Sequence, residues 1–334
     1  MKKYKLKKFL KENIGIICFF IIGLFFIYLP IPYYIEAPGG LINANERVEV
    51  NSKNAIKGSF HMAYVSSMKA SIPTILFAKL HHDWDIQKQE EMVADGETEQ
   101  EAEYRSRISL QEGNQRAILL AYQAANKYIE IIQKELYITY RFPEADTSLE
   151  VGDKIEKVMN QPIQSLEDFS KIIQKYPKGT KLKITVKNKK KEKQRYATII
   201  MEGDRKIIGV MTSTIYQFKM KPGIKIKTDQ NESGASGGLI MTLSIYNALT
   251  KEDITHGDKI AGTGTIEMDG SVGSISGVKY KLLGAVKNKA KIFLVPSGDN
   301  YKEALKIKKE RKLNIEIVSI KTFEQALKYL KNRD

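Results

Sequence analysis

The chain has 334 residues, 42% of them apolar, and a net charge of +15. That length supports two or three compact units, and the charge comes largely from lysine clusters such as Lys2, Lys3, Lys5, Lys7, Lys8 and Lys11 and from lysine-rich surface segments. Arginine is scarce and no basic stretch interleaves stacking aromatics, which argues against a nucleic-acid binder; the one cysteine, Cys18, excludes an intrachain disulfide framework and a cysteine-based zinc site.

Residues 1–13 form a basic tail. From Ile14 to Ile35 no residue is charged, which is enough for a helix across a hydrocarbon core of roughly 30 Å. The lysines before it and Glu36 after it predict a single-pass anchor with a cytoplasmic amino terminus and an extracellular remainder. Tyr28, Tyr33 and Tyr34 stand near the outer end. A cleaved signal peptide would need a shorter core and a small-residue cleavage site, where this chain has Pro30-Ile-Pro-Tyr-Tyr34.

Residues 36–135 read as a strand and helical region that precedes the carboxyl-terminal domain and packs on it. Ala37-Pro-Gly-Gly40 predicts a turn, and strands are expected near Arg47–Val50 and Ser59–Val65. Thr74 to Trp84 reads as a short amphipathic segment, and the apolar run at Ile72–Leu80 is too short for a second span. Gln87 to Gln133 reads as mostly helical, with an apolar stripe from Ala117 to Ile131 and breaks at Gly96 and Gly113.

Residues 136–202 form a β-rich unit. Leu136–Tyr140 alternates as a strand, Leu149-Glu-Val-Gly-Asp-Lys-Ile155 turns into a second, and Leu166–Tyr176 is a helix capped by Ser165. Two further strands, Lys181–Val186 and Tyr196–Ile200, flank a lysine-rich hairpin. Leu149, Gly152-Asp153, Ile155, Asn160 and the helix with Phe169 and Ile172 resemble a PDZ domain. The resemblance implies binding of extended peptides by strand addition. No glycine-rich carboxylate loop of the usual kind precedes the first strand, which argues against capture of a carboxyl terminus and leaves recognition of internal segments or the positioning of substrates.

Residues 205–334 alternate strands near Ile207–Met211, Ile224–Lys227, Ile260–Ile266, Lys291–Val295 and Ile315–Ile320 with helices near Gly237–Leu249, Val278–Lys287, Asp299–Lys308 and Thr322–Leu330. The pattern predicts an α/β arrangement. Ser236 lies in Glu232-Ser-Gly-Ala-Ser-Gly-Gly-Leu239 and Lys281 in Ser276-Gly-Val-Lys-Tyr-Lys-Leu-Leu283, each in a glycine turn opening a helix. A serine hydroxyl becomes a competent nucleophile when a base takes its proton, and a neutral lysine amine serves.

Three segments resemble the proteolytic domain of Lon. Gly234-Ala-Ser-Gly-Gly238 is similar to the family's Gly-Pro-Ser-Ala-Gly. Gly262-Thr-Gly-Thr-Ile266 with Asp269-Gly270 resembles the family's next strand and turn. Ile275-Ser-Gly-Val-Lys-Tyr-Lys-Leu-Leu283 resembles Ile-Gly-Gly-Leu-Lys-Glu-Lys-Leu-Leu. The resemblance implies that Ser236 is the nucleophile, Lys281 rather than Lys279 the base, and Thr263 the hydroxyl that supports the lysine amine. Backbone N–H groups of Ala235, Ser236 and Gly237 are the expected oxyanion donors. The departures are Ala235 for the family's proline and Gly237 for its alanine. Ser233 is the rival nucleophile.

The expected architecture is α+β and multidomain: an amino-terminal transmembrane helix, a PDZ-like domain and a Lon-type α/β proteolytic domain. No Gly-x-x-x-x-Gly-Lys-Ser/Thr occurs, so no ATP-driven motor is expected. The combination resembles the membrane-anchored PDZ–Lon-like peptidases of Gram-positive bacteria, some of which trim secreted pheromones. It implies an ATP-independent serine endopeptidase acting on peptides or unfolded segments, without cofactor or metal, and, because Lon-like units often form rings, a homo-oligomer. The rival is a catalytically inactive anchored PDZ adaptor. His61, His81, His82 and His256 form no recognisable triad or metal motif.

Overall fold

The computed structural model describes residues 9–29, 31–50 and 56–333. Lys2, Lys3, Lys5, Lys7 and Lys8 of the basic tail, and Pro30, lie outside them. The chain divides into two compact units, Met1–Pro38 with Val65–Met92, and Gly39–Tyr64 with Val93–Asp334.

In the first unit the apolar run forms the helix Ile14–Tyr28, of 15 residues. At about 1.5 Å per residue it is shorter than a hydrocarbon core. Among the described residues no helix is long and apolar enough to cross a membrane. The helix, expected to continue to Ile35, ends at Tyr28, and Tyr33–Ile35 belong to a strand. Leu29, which precedes a proline, is extended, as a residue before proline favours. Tyr33–Asn43 is a strand whose Ile35 pairs with Ile86 and is fully buried with Ala70 and Ala78. The helix Ile72–Leu80 begins at Ser71, whose backbone N–H donates to Thr74 Oγ1 at 2.7 Å.

In the second unit Ala37-Pro-Gly-Gly40 is not a turn, since its glycines fall within the strand Tyr33–Asn43. A Cβ on Gly39 would stand 2.3 Å from the Tyr64 carbonyl oxygen, so glycine is what lets this backbone approach so closely. Parallel strands Ser59–Lys69, Lys259–Gly262, Ile292–Pro296 and Glu316–Ile320 lie side by side, with Ile260 opposite both Phe60 and Ile292. The α/β sheet thus recruits a strand from well upstream of residue 205.

Strand alternation sorts the sheet into two layers. Phe60, Met62, Ile260, Ile292 and Leu294 face the helix Gly238–Leu249. Ala63, Ala261, Phe293 and Val295 face Val278, Leu282 and Ala285 of the helix Val278–Lys287. Every residue of Gly238–Leu249 is buried, as an all-round apolar helix requires. It is covered by Ala117, Ile118, Ala121 and Tyr122 of the helix Glu99–Ala124, and by Phe323, Ala326 and Leu330 of Phe323–Lys331.

The helix Glu99–Ala124 starts at a Thr98–Glu101 capping box. Gly96 breaks the chain before it with φ +71°, as expected. Gly113 does not break it but lies buried inside it. Residues 128–133, read as helical, belong instead to the strand Tyr128–Arg141. That strand pairs along its length with Val210–Lys221, forming a long antiparallel ribbon. Beyond it an antiparallel sheet continues through Lys154–Val158, Lys181–Asn188 and Lys191–Thr198. Leu136, Ile138, Leu149, Ile155 and Ile184 form its core with Phe169, Ile172 and Ile173 of the helix Leu166–Gln174. Ser165 Oγ accepts from the Asp168 N–H at 3.1 Å, as a helix cap does.

Candidate active site

Gly234 to Gly237 form the turn that enters Gly238–Leu249. Gly234 adopts φ +81° and donates its N–H to the Ser106 carbonyl at 2.9 Å. Gly238 N–H closes the turn on Ala235 O at 3.1 Å. Ser236 is half-buried, whereas its rival Ser233 is exposed. The Ser236 carbonyl accepts two hydrogen bonds from the end of the central strand. One is from Thr263 Oγ1 at 3.0 Å and one from the Gly264 N–H at 2.7 Å. Thr263 is fully buried. The structure thus brings Ser236 and Thr263 together, and the threonine holds the serine's own backbone.

Lys281 lies in the first turns of Val278–Lys287, which opens at Gly277 with φ +72°. It is only 5% exposed, an unusual state for lysine. Lys279 is half-buried with its ammonium 5.2 Å from the Tyr280 ring centre. Burial therefore distinguishes the two lysines. The helix carrying Lys281 and the helix entered by Ser236 pack on opposite faces of the strand Lys259–Gly262. Thr263 comes directly after that strand at its carboxyl end, where parallel α/β sheets place their sites.

The amides of Ala235, Ser236 and Gly237 stand at the mouth of a helix, where N–H groups are not committed to helical bonds. Among the described residues none accepts a hydrogen bond from them. Nor does any of the four histidines hydrogen-bond Ser236: His61 meets Ser59 Oγ at 2.8 Å and His256 the Leu330 carbonyl at 2.9 Å. Burial and the charge of Lys259 push His61 below its ordinary pKa. Among the described residues no cluster of acidic, histidine or cysteine side chains could hold a metal ion.

Several contributors to the site come from distant sequence. A Cβ on Gly237 would lie 2.5 Å from Met62 Sδ, and one on Gly113 would lie 3.3 Å from the Ala235 Cβ. Gly113, expected from the sequence to be a helix break, is instead where that helix approaches the Ser236 turn. Arg116 binds Glu267 at 2.5 Å and Glu112 at 2.8 Å, tying Glu99–Ala124 to the loop after Ile266. Arg47 pairs with Asp229 and Glu232 on the approach to Ser236. A cleft of about 470 Å³ runs between Leu110, Gln111 and Asn114 and the segment Ile226–Glu232. A second, of about 480 Å³, lies in the β-rich unit among Ile131–Glu135, Lys154–Glu156, Ile163, Gln164, Ser165 and Asp168. Beside it the strand Tyr128–Arg141 meets Lys154–Val158 only at Leu136 and Tyr137.

Residues 224–332 match the family model of the Lon protease (S16) C-terminal proteolytic domain. The Lon protease of Mesomycoplasma hyopneumoniae is 33% identical over 99 residues, which are 30% of this chain and 11% of that protein. That of Azospirillum brasilense is 36% identical over 98 residues, 29% of this chain and 12% of that protein. The chain therefore spans only about a tenth of the length of these curated relatives. The PDZ domain of an SdrC-like protein from Listeria monocytogenes covers 25% of this chain and 92% of its own, at 19% identity and TM-score 0.23. Over residues 224–332 the chain is thus similar to the S16 proteolytic domain of Lon, and that likeness supports a serine-type peptidase.

Proposed function

We propose that this chain is an ATP-independent, membrane-anchored serine endopeptidase whose working pair is Ser236 and Lys281. One observation carries the reading. A buried lysine lies on one face of the strand whose end hydrogen-bonds the turn of a half-buried serine on the other. Ser236 attacks the scissile carbonyl while the neutral Lys281 amine takes the hydroxyl proton. The N–H groups of Ala235 to Gly237 stabilise the oxyanion. As the tetrahedral intermediate collapses, Lys281 returns the proton to the leaving amine, and water then hydrolyses the acyl-enzyme through the same base. Thr263 keeps the Ser236 turn in register with the strand.

Substrate lies extended in the cleft beside Ile226–Glu232. The open edge of Tyr128–Arg141 adds a further strand from the same peptide or from a disordered tail. The uncharged run that begins at Ile14 holds the chain at the membrane, and the lysines before it favour a cytoplasmic amino terminus with the peptidase outside. Maturation of a secreted signalling peptide fits that placement. A homo-oligomer is part of the same reading, by analogy with Lon-like units.

Purified full-length protein in detergent, incubated with an unstructured protein such as casein, tests the chemistry. Cleavage by the parent and by neither Ser236→Ala nor Lys281→Ala is expected. Cleavage by Ser236→Ala would overturn the nucleophile. Peptide binding without cleavage by any form would favour an adaptor.

A further inference from the structure

The first unit carries an apolar face that the peptidase reading does not use. In the helix Ile72–Leu80, Ile75 and Ala78 pack inward with Ile31, Tyr33 and Ile86. Ile72, Leu76 and Leu80 recur every four residues and so form one outward stripe. Leu76 is 60% exposed and Leu80 84%. Phe77 extends the stripe toward an aromatic group, with Trp84 edge-on to Phe77 and stacked on His81, both at 5.2 Å between ring centres.

We propose that this face rests in the lipid headgroup region as a second membrane contact beside Ile14–Tyr28; the proposal rests on the anchored reading above. Three observations select lipid as the occupant. Ile31 and Tyr33, which pack with Ile75 on the small core of Ile35, Ala70 and Ala78, lie within a few residues of the end of Ile14–Tyr28, so the stripe stands near where that helix ends. That helix exposes apolar side chains around its circumference, among them Phe19, Ile21 and Phe25. A medium that covers all of them is a fluid apolar one, and the stripe continues its surface. Tryptophan, histidine and Lys79 rim the stripe, and amphipathic rings with a basic side chain favour the boundary between acyl chains and water. Such a face gives the first unit a second hold on the bilayer surface beside Ile14–Tyr28.

Trp84 is the chain's only tryptophan, so its fluorescence reports this place alone. Full-length protein is reconstituted into phosphatidylcholine–phosphatidylglycerol vesicles whose acyl chains are brominated near the headgroups or near the chain ends. Flotation of the vesicles reads anchoring separately. The protein is expected to float, with Trp84 quenched more by the shallow bromines than by the deep ones. Leu76→Glu with Leu80→Glu, at exposed positions, is expected to float equally and to lose roughly half of the quenching. Floating protein whose Trp84 ignores the bromines overturns the proposal and leaves the anchor standing. Equal quenching of parent and double variant overturns it too, as does Leu80→Cys in a Cys18→Ser chain joining two chains with no quenching, which would place a second copy on this face. Protein that does not float overturns both the anchor and the contact.

Discussion

The hydroxyl of Thr263 donates to the backbone carbonyl of Ser236 across 3.0 Å. A threonine at the carboxyl end of a parallel strand thereby fixes the turn that presents the candidate nucleophile. This hold on the serine's own backbone stands beside the support for the lysine amine that the resemblance to Lon implies.

Thr263→Val removes that donor in a fully buried place and leaves the Ser236 carbonyl with the Gly264 N–H alone. Loss of a buried hydrogen bond costs about 1–3 kcal/mol. We expect a lower urea midpoint and a fall in kcat larger than any rise in KM, because the turn rather than the cleft is loosened. Thr263→Ser keeps the hydroxyl and should recover most of both. Casein cleavage and urea unfolding of the three proteins decide it.

Gly237→Ala would give this chain the alanine of the Lon segment. Here the new Cβ would fall 2.5 Å from Met62 Sδ, so Met62 must move, and overpacking of this kind costs roughly 1–3 kcal/mol. The substitution should lower thermal stability and activity together. Met62→Ala in the same chain should restore part of the activity, a coupling that a double-mutant cycle measures. Simple additivity would show that the two residues do not compete for the space.

Gly113 separates two opposing effects. Alanine is the better helix former by about 1 kcal/mol, but its Cβ would stand 3.3 Å from that of Ala235. Gly113→Ala should therefore leave the thermal midpoint close to that of the parent. Gly113→Leu cannot fit without displacing the Ser236 turn, and should reduce cleavage severalfold or more in a protein whose circular dichroism is unchanged.

Hydrogen bonds from Arg105 hold Glu97 below the ordinary carboxylate value of 4.5. A carboxyl whose folded pKa is lowered contributes stability above its unfolded pKa and loses it as pH falls through the folded one. The parent should lose part of its resistance to urea on going from neutral pH to below pH 4. Glu97→Gln, which carries no titrating charge, should be less stable at neutral pH and show a shallower decline. Parallel profiles for the two proteins would remove this pair from the acid response.

What the chain disclosed in advance tracks the range of the interactions involved. Ser165 with Asp168, and Thr322 with Gln325, are signals within one turn, and both caps are present. The helices Gly238–Leu249 and Val278–Lys287 announced themselves by glycine turns and apolar composition. The pairing of Ser59–Lys69 with Lys259–Gly262 joins residues about two hundred positions apart, and no local pattern encodes such a partner. The apolar stripe after Ala117 continued past the true helix end, because Ile129 and Ile131 suit a strand as readily as a helix. The seryl turn was legible by motif, whereas its supports from Met62, Ser106 and Gly113 emerge only once the helices and strands are assembled.

The long ribbon has a consequence for modularity. Ile138 stands opposite Thr212, so the chain leaves for the β-rich unit and returns from it at two points about 5 Å apart. To the rest of the polypeptide that whole unit is the tip of a single hairpin. Such a tip can be shortened to a turn or exchanged for another domain while both strand stems stay where they are, so the sheet that carries Thr263 need not be rebuilt when the tip changes.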